Sequence, residues 1–140
     1  MRSSEGTGAR FRYLRDPLFL VCVAAYGLNR FAVRPLWPEF TFARSYLNDC
    51  LCIPFWLPGL LLACRKLRIR CHDDPPLPGE ALGLLIAWSF WFEVLAPVLP
   101  PFRGRSIADP WDVVAYAWGA VGAMLFWHRR ALWRGKGRPA

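Results

Sequence analysis

The chain has 140 residues, enough for one domain, and it is 55% hydrophobic and 16% aromatic, with eight Trp. Charged residues make up 20%, less than the roughly 25% of an ordinary soluble domain. The net charge of +8 comes from sixteen Arg and two Lys against ten acids, but these cations flank apolar runs and form no single basic face, which argues against a nucleic-acid-binding domain.

In chain order, a basic stretch (residues 1–16) leads into a first apolar block, PLFLVCVAAYGLNRFAV, residues 17–33. Asp16-Pro17 supplies a capping carboxylate and a proline suited to a first helical turn. Asn29 and Arg30 interrupt this block. Its basic start and Ala24-Ala25 also suit a secretory signal peptide, but the apolar run continues past a poor cleavage site, so the block is read as a retained span. The second block, residues 47–64, contains Pro54 and Pro58, which should bend it without breaking it in a membrane. The third, residues 81–99, carries Glu93 inside an otherwise apolar run and is expected to stop at Pro97, Pro100 and Pro101. Asp109-Pro110 opens the fourth, residues 111–127, and a basic tail fills residues 129–140.

Each block is near the short end of the ~17–25 residues that cross a ~30 Å hydrocarbon core. Apolar residues surround each predicted helix, as lipid-facing segments require, and strict alternation is missing, which argues against a barrel. Trp37, Trp111, Trp127 and Trp133 fall near block ends, where aromatic belts sit. The expected fold is an all-α membrane protein, a four-transmembrane-helix bundle over residues 17–128 with N-in/C-in topology. The five cysteines, Cys22, Cys50, Cys52, Cys64 and Cys71, lack zinc, redox or disulfide spacing and read as small apolar fillers. Neither a metal nor a cofactor is indicated.

Orientation follows from the cations. The two tails and the loop after block two hold thirteen Lys and Arg, and the other two loops, with the end of block one, hold five. Positive residues stay cytoplasmic, so both termini are expected inside. Asp49, Asp109 and Asp112 then open their helices at the outer face. Glu93 lies about 10 Å below that face at 1.5 Å per residue, with Arg30 at a similar depth and Arg103 and Arg105 just above. An intramembrane carboxylate needs a partner, and pairing Glu93 with Arg30 or Arg105 would supply one. A structural ion pair would satisfy the same need, and Asp109 and Asp112 also suit a helix start on their own. In block four, Ala115, Gly119 and Ala123 recur every four residues, with Gly122 beside them, a spacing that lets helices approach closely. Asp112, Tyr116 and Gly119 share a face expected to point toward Glu93.

The stretch FEVLAPVLPPFRGRSIADPWDVVAYAWGAVG resembles the C-terminal signature of VanZ-like membrane proteins. The matching residues are Glu93, Arg105, Asp109, Asp112 and Gly119, and YLNDCLCIPFWLP resembles the start of the second helix in small bacterial relatives. The resemblance covers residues 46–127. It departs from the family at Ala96, often Gln, and at Tyr116, often Asn. It implies a multi-pass protein of the bacterial cytoplasmic (inner) membrane with a role in the cell envelope.

The expected function is a cell-envelope protein whose outer pocket binds a lipid or cell-wall head group. Arg103 and Arg105 would take an anionic group, and Glu93, Asp49 and Asp112 would orient them. Alternatively the chain is a small transporter or ion-pathway subunit using Glu93, or a structural subunit that binds a membrane-protein partner. An enzyme is the least supported class, because His72 and His128 lie away from the acids and no nucleophile–base pair is evident. Membrane lipids are the expected partners, and nucleic acid is not.

Overall fold

The computed structural model describes residues 11–40, 42, 45–72, 74–102 and 109–136, without the side chains of 134–136. A single 3-10 turn, Tyr13–Arg15, leads into four helices: α1 (Pro17–Leu36), α2 (Leu47–Lys66), α3 (Pro78–Val98) and α4 (Pro110–Lys136). No strand occurs among the described residues. The first three helices are long and apolar enough to cross a bilayer, the mark of a multi-pass membrane protein. The 27 residues of α4 span about 40 Å, but α4 is not among the helices that reach that apolar character. Large side chains such as Val21, Phe31, Ile86 and Trp118 face outward from the bundle, as lipid contact would demand.

The prolines account for the irregular turns. α1 widens into a π turn over Asn29–Val33 and α3 over Phe90–Leu95. Each widening lies just before a proline, Pro35 and Pro97. A proline ring presses on the carbonyl four residues back and offers it no amide. Those carbonyls belong to Phe31 and Glu93, both inside the π turns, which take up the crowding while the helix continues.

The prolines of α2 do something else. Pro54 and Pro58 lie inside an unbroken helix, and Pro54 has no N–H for the carbonyl of Cys50. Gly119 of α4 lies against that carbonyl: a Cβ built on Gly119 would stand 1.9 Å from the Cys50 oxygen. Only a residue without a side chain fits, and a Cα–H facing a freed carbonyl is a favourable contact. α2 and α4 are the most extensively packed pair. Ile53, Leu57 and Leu61 are fully buried on one side of the seam, and Tyr116, Ala120, Ala123 and Trp127 are buried on the other. The small-residue stripe therefore works as packing, while Gly122 has no neighbour within 4 Å of its Cβ direction. α1 packs on α2, and α3 rests on both α2 and α4.

At one end of the bundle, called basal here, α1 and α3 begin and α2 and α4 finish; the opposite end is apical. Charge closes the basal end. Asp16 caps α1 by accepting the Leu18 amide at 3.0 Å, and it also accepts the Trp127 indole N–H at 3.1 Å and an Arg130 guanidinium N–H. Trp127, expected in an aromatic belt, is instead 3% exposed and stacks edge-on to Tyr13. The indole N–H needs a buried acceptor, and Asp16 provides it.

Arg70, counted above among the loop cations, is also drawn in. It is 4% exposed and donates to Glu80 and to the carbonyls of His72, Asp74 and Pro75. Glu80 also accepts the Leu77 amide at 2.7 Å, so one carboxylate caps α3 and holds the arginine. His128 reaches the Pro76 carbonyl at 3.0 Å, and the Tyr13 hydroxyl donates to the Asp74 carbonyl. The loop between α2 and α3 is thus latched beneath the bundle. All five cysteines are free thiols.

Candidate functional site

The apical end is assembled differently. Where α1 enters its π turn, Asn29 points inward, 1% exposed, and donates to the Asn48 side chain of α2 at 2.8 Å. This amide pair ties the two helices at the level where the sequence drew attention to Arg30. Arg30 is exposed and forms no ion pair with Glu93, so the first helix turns its amide inward and its guanidinium outward.

Beside the amide pair opens a cavity of about 580 Å³. Asn48, Asp49 and Cys52 of α2 and Asp112 and Tyr116 of α4 form its polar side. Its walls are aromatic: Tyr26 from α1, Phe55 and Trp56 from α2, and Phe92 from α3. Neighbouring rings brace one another, Tyr26 on Phe55 at 5.9 Å and Phe92 on Tyr116 at 6.5 Å between centroids. Helical spacing explains the lining. Asp49, Cys52 and Trp56 are three or four residues apart on α2, and Asp112 and Tyr116 four apart on α4, so each helix offers one stripe to the hollow.

The acids are electrostatically coupled. Asp49 lies within the field of Asp112, Glu93 and the Arg34 guanidinium, and Tyr116 lines the same hollow. Asp112 lies within the field of Asp109 and Glu93. Asp109 itself caps α4, accepting the Trp111 amide at 3.0 Å. Glu93 is half-buried, near the cluster but not part of the cavity lining. Arg103 and Arg105 lie outside the described residues. Of the residues singled out in the sequence, Asp49, Asp112 and Tyr116 line one cavity, Glu93 stands close to it, Asp109 starts the helix that delivers two of them, and Arg30 faces away.

Sequence reasoning passed over the aromatic wall and Asn48's partner. Asn29 was the available signal: an amide in an apolar run needs a polar partner as much as a charge does. Among the described residues, no group of three His, Cys, Asp or Glu side chains is arranged to hold a metal ion. Two aspartates lining a half-open aromatic hollow, with Glu93 close by, can receive a positively charged or hydroxyl-rich group, since carboxylates accept its hydrogen bonds and ring faces attract a cation.

Fold and site together define a class: an all-helical, multi-pass membrane protein with a polar cavity at one end of its bundle. No family model, curated protein or solved structure matches the chain. The resemblance to VanZ-like proteins rests on its motif residues alone.

Proposed function

We propose that the chain is an integral protein of the bacterial cytoplasmic membrane, VanZ-like in its second half, that receives the polar head group of a cell-envelope amphiphile in its apical cavity. In this proposal all four helices span the bilayer and both termini are cytoplasmic, as the arginine distribution favours, so the cavity opens to the outer face. The observation that carries the proposal is the lining: Asp49, Asp112 and Asn48 at the polar side of a hollow walled by Tyr26, Phe55, Trp56 and Phe92. Ionisable groups at membrane depth are costly, and they are functional candidates for that reason.

The chemistry favours a head group carrying an ammonium. The cation would sit between ring faces and beside the two aspartates. Arg103 and Arg105, which precede α4 in the sequence, are the candidates for a phosphate on the same head group, since planar guanidinium groups suit bidentate contact.

Native mass spectrometry of the full chain from detergent micelles tests this with phosphatidylethanolamine as the probe and phosphatidylglycerol as the comparison. Asp49→Asn together with Asp112→Asn should reduce retention of the ammonium lipid about tenfold, the equivalent of about 1.4 kcal/mol. Retention indistinguishable from the unaltered chain would overturn the proposal.

A further inference from the structure

A second hollow, of about 500 Å³, lies at the basal end. Arg12, Arg15 and Arg130 ring it, and Phe11, Leu14 and Leu62 supply its apolar surface. Its walls come from the 3-10 segment before α1, the last turns of α2 and the last turns of α4. Asp16 is the one acid in the lining, and its oxygens already serve the Leu18 amide, the Trp127 indole and Arg130. Asp16 therefore fixes Arg130 in place. Arg12 and Arg15 are exposed and form no ion pair with an acid among the described residues. Three guanidinium groups against one engaged carboxylate leave the hollow strongly cationic.

Its position narrows the ligand. Arg15 immediately precedes Asp16 and Pro17, where the lipid-facing surface of α1 begins with Leu20 and Val21, 53% and 62% exposed. The mouth is thus at the water boundary, and the apolar surface runs on toward the hydrocarbon. On the other side of Arg130, Leu125, Phe126 and Trp133 line a shallower groove beside Arg129. A soluble anion would use the guanidinium ring and leave this surface bare. An anionic amphiphile would use both.

We infer that the basal hollow binds an anionic phospholipid of the leaflet on that side of the membrane. Arg12, Arg15 and Arg130 hold the phosphate, and the glycerol and first methylenes lie over Phe11, Leu14 and Leu62. Guanidinium groups favour phosphate through paired N–H donors, and basic hollows at the membrane boundary suit anionic head groups. The site lies at the opposite end from the apical cavity and does not depend on what that cavity binds.

The test uses the full chain in micelles supplied with equal amounts of phosphatidylglycerol and phosphatidylcholine, with retained lipid read by native mass spectrometry. Phosphatidylglycerol should be retained preferentially. Arg12→Gln with Arg15→Gln should reduce that retention about thirtyfold, which corresponds to about 1 kcal/mol for each arginine. Lys66→Gln with Arg68→Gln removes the same charge from the same end without touching the hollow and should change retention less than twofold. Arg12→Lys with Arg15→Lys keeps the charge, loses the planar fork and should fall between the two. If the double glutamine variant does not fold, Arg12→Gln alone should still lose about fivefold, by the same charge arithmetic. Equal loss in the Lys66 and Arg68 pair would overturn the inference in favour of diffuse attraction. Absence of any preference over phosphatidylcholine would overturn it outright. Full displacement of the lipid by millimolar inorganic phosphate would reassign the hollow to a soluble anion.

Discussion

At the basal end, Arg70 and Asp16 are each held by several partners within the fold. At the apical end, Asp49 and Asp112 border a hollow and stand among other acids. Both pairs lie on the polar fringes of the same apolar bundle. An ionised group surrounded by donors or acceptors from its own chain fixes geometry and has little capacity left for a ligand. An acid that faces space keeps that capacity, and the field of its neighbours favours an incoming cation. The Arg70 and Asp16 contacts tell how the helices are tied, and the apical aspartates where a cation can enter.

Unequal responses to substitution at the two ends would sharpen this contrast, and equal responses would break it. The largest effect is expected for Glu80→Ala, which leaves Arg70 buried without its carboxylate and should cost about 3–5 kcal/mol in denaturant unfolding from micelles. Replacing both partners, Arg70→Met with Glu80→Leu, should recover most of that loss. A loss below about 1 kcal/mol for Glu80→Ala, the scale of an exposed ion pair, would mean the loop is not latched through this pair.

Gly119→Ala is expected next, at about 1–3 kcal/mol, because the new methyl must displace the Cys50 backbone. Gly122→Ala, three residues along the same helix, should stay within about 0.5 kcal/mol and serves as its control. Comparable melting temperatures for the two variants would contradict the close approach of α2 and α4. Asn29→Ala should cost about 1 kcal/mol, in line with interhelical hydrogen bonds in membranes. Asn48→Ala in the same background should then add little, as a double-mutant cycle would show.

The smallest effect on stability is expected at the cavity. Asp49→Asn should change unfolding by no more than about 0.5 kcal/mol, because the shape is kept and repulsion from Asp112 and Glu93 is reduced. A destabilisation as large as that of Glu80→Ala would place Asp49 in the same structural role as the basal residues and remove the distinction between the ends.

Much of the helix layout could be read from the chain. α1 and α2 begin at Pro17 and Leu47, the first residues of their apolar blocks, and both Asp-Pro pairs sit at helix starts with the carboxylate capping. α3 begins at Pro78, three residues earlier than expected, because Glu80 accepts the Leu77 amide and holds an extra turn. α4 runs on through Arg129 and Arg130 to Lys136, since basic residues do not stop a helix and suit its C-terminal end.

The sequence by itself determined an all-helical chain with apolar spans, cations gathered at alternate connections, and a face of small residues on α4. Run length, proline and glycine placement and charge clustering are local properties, and each acts within a few residues. Tertiary structure decided which side chains meet. It turned Asn29 inward and Arg30 outward, buried Trp127 on Asp16, drew Arg70 onto Glu80, and enclosed the aromatic walls around Asp49 and Asp112. A helix apolar on every side has no preferred rotation of its own. Its rotation is set by the neighbours it packs against, through a glycine that admits a carbonyl or an amide that must find a partner.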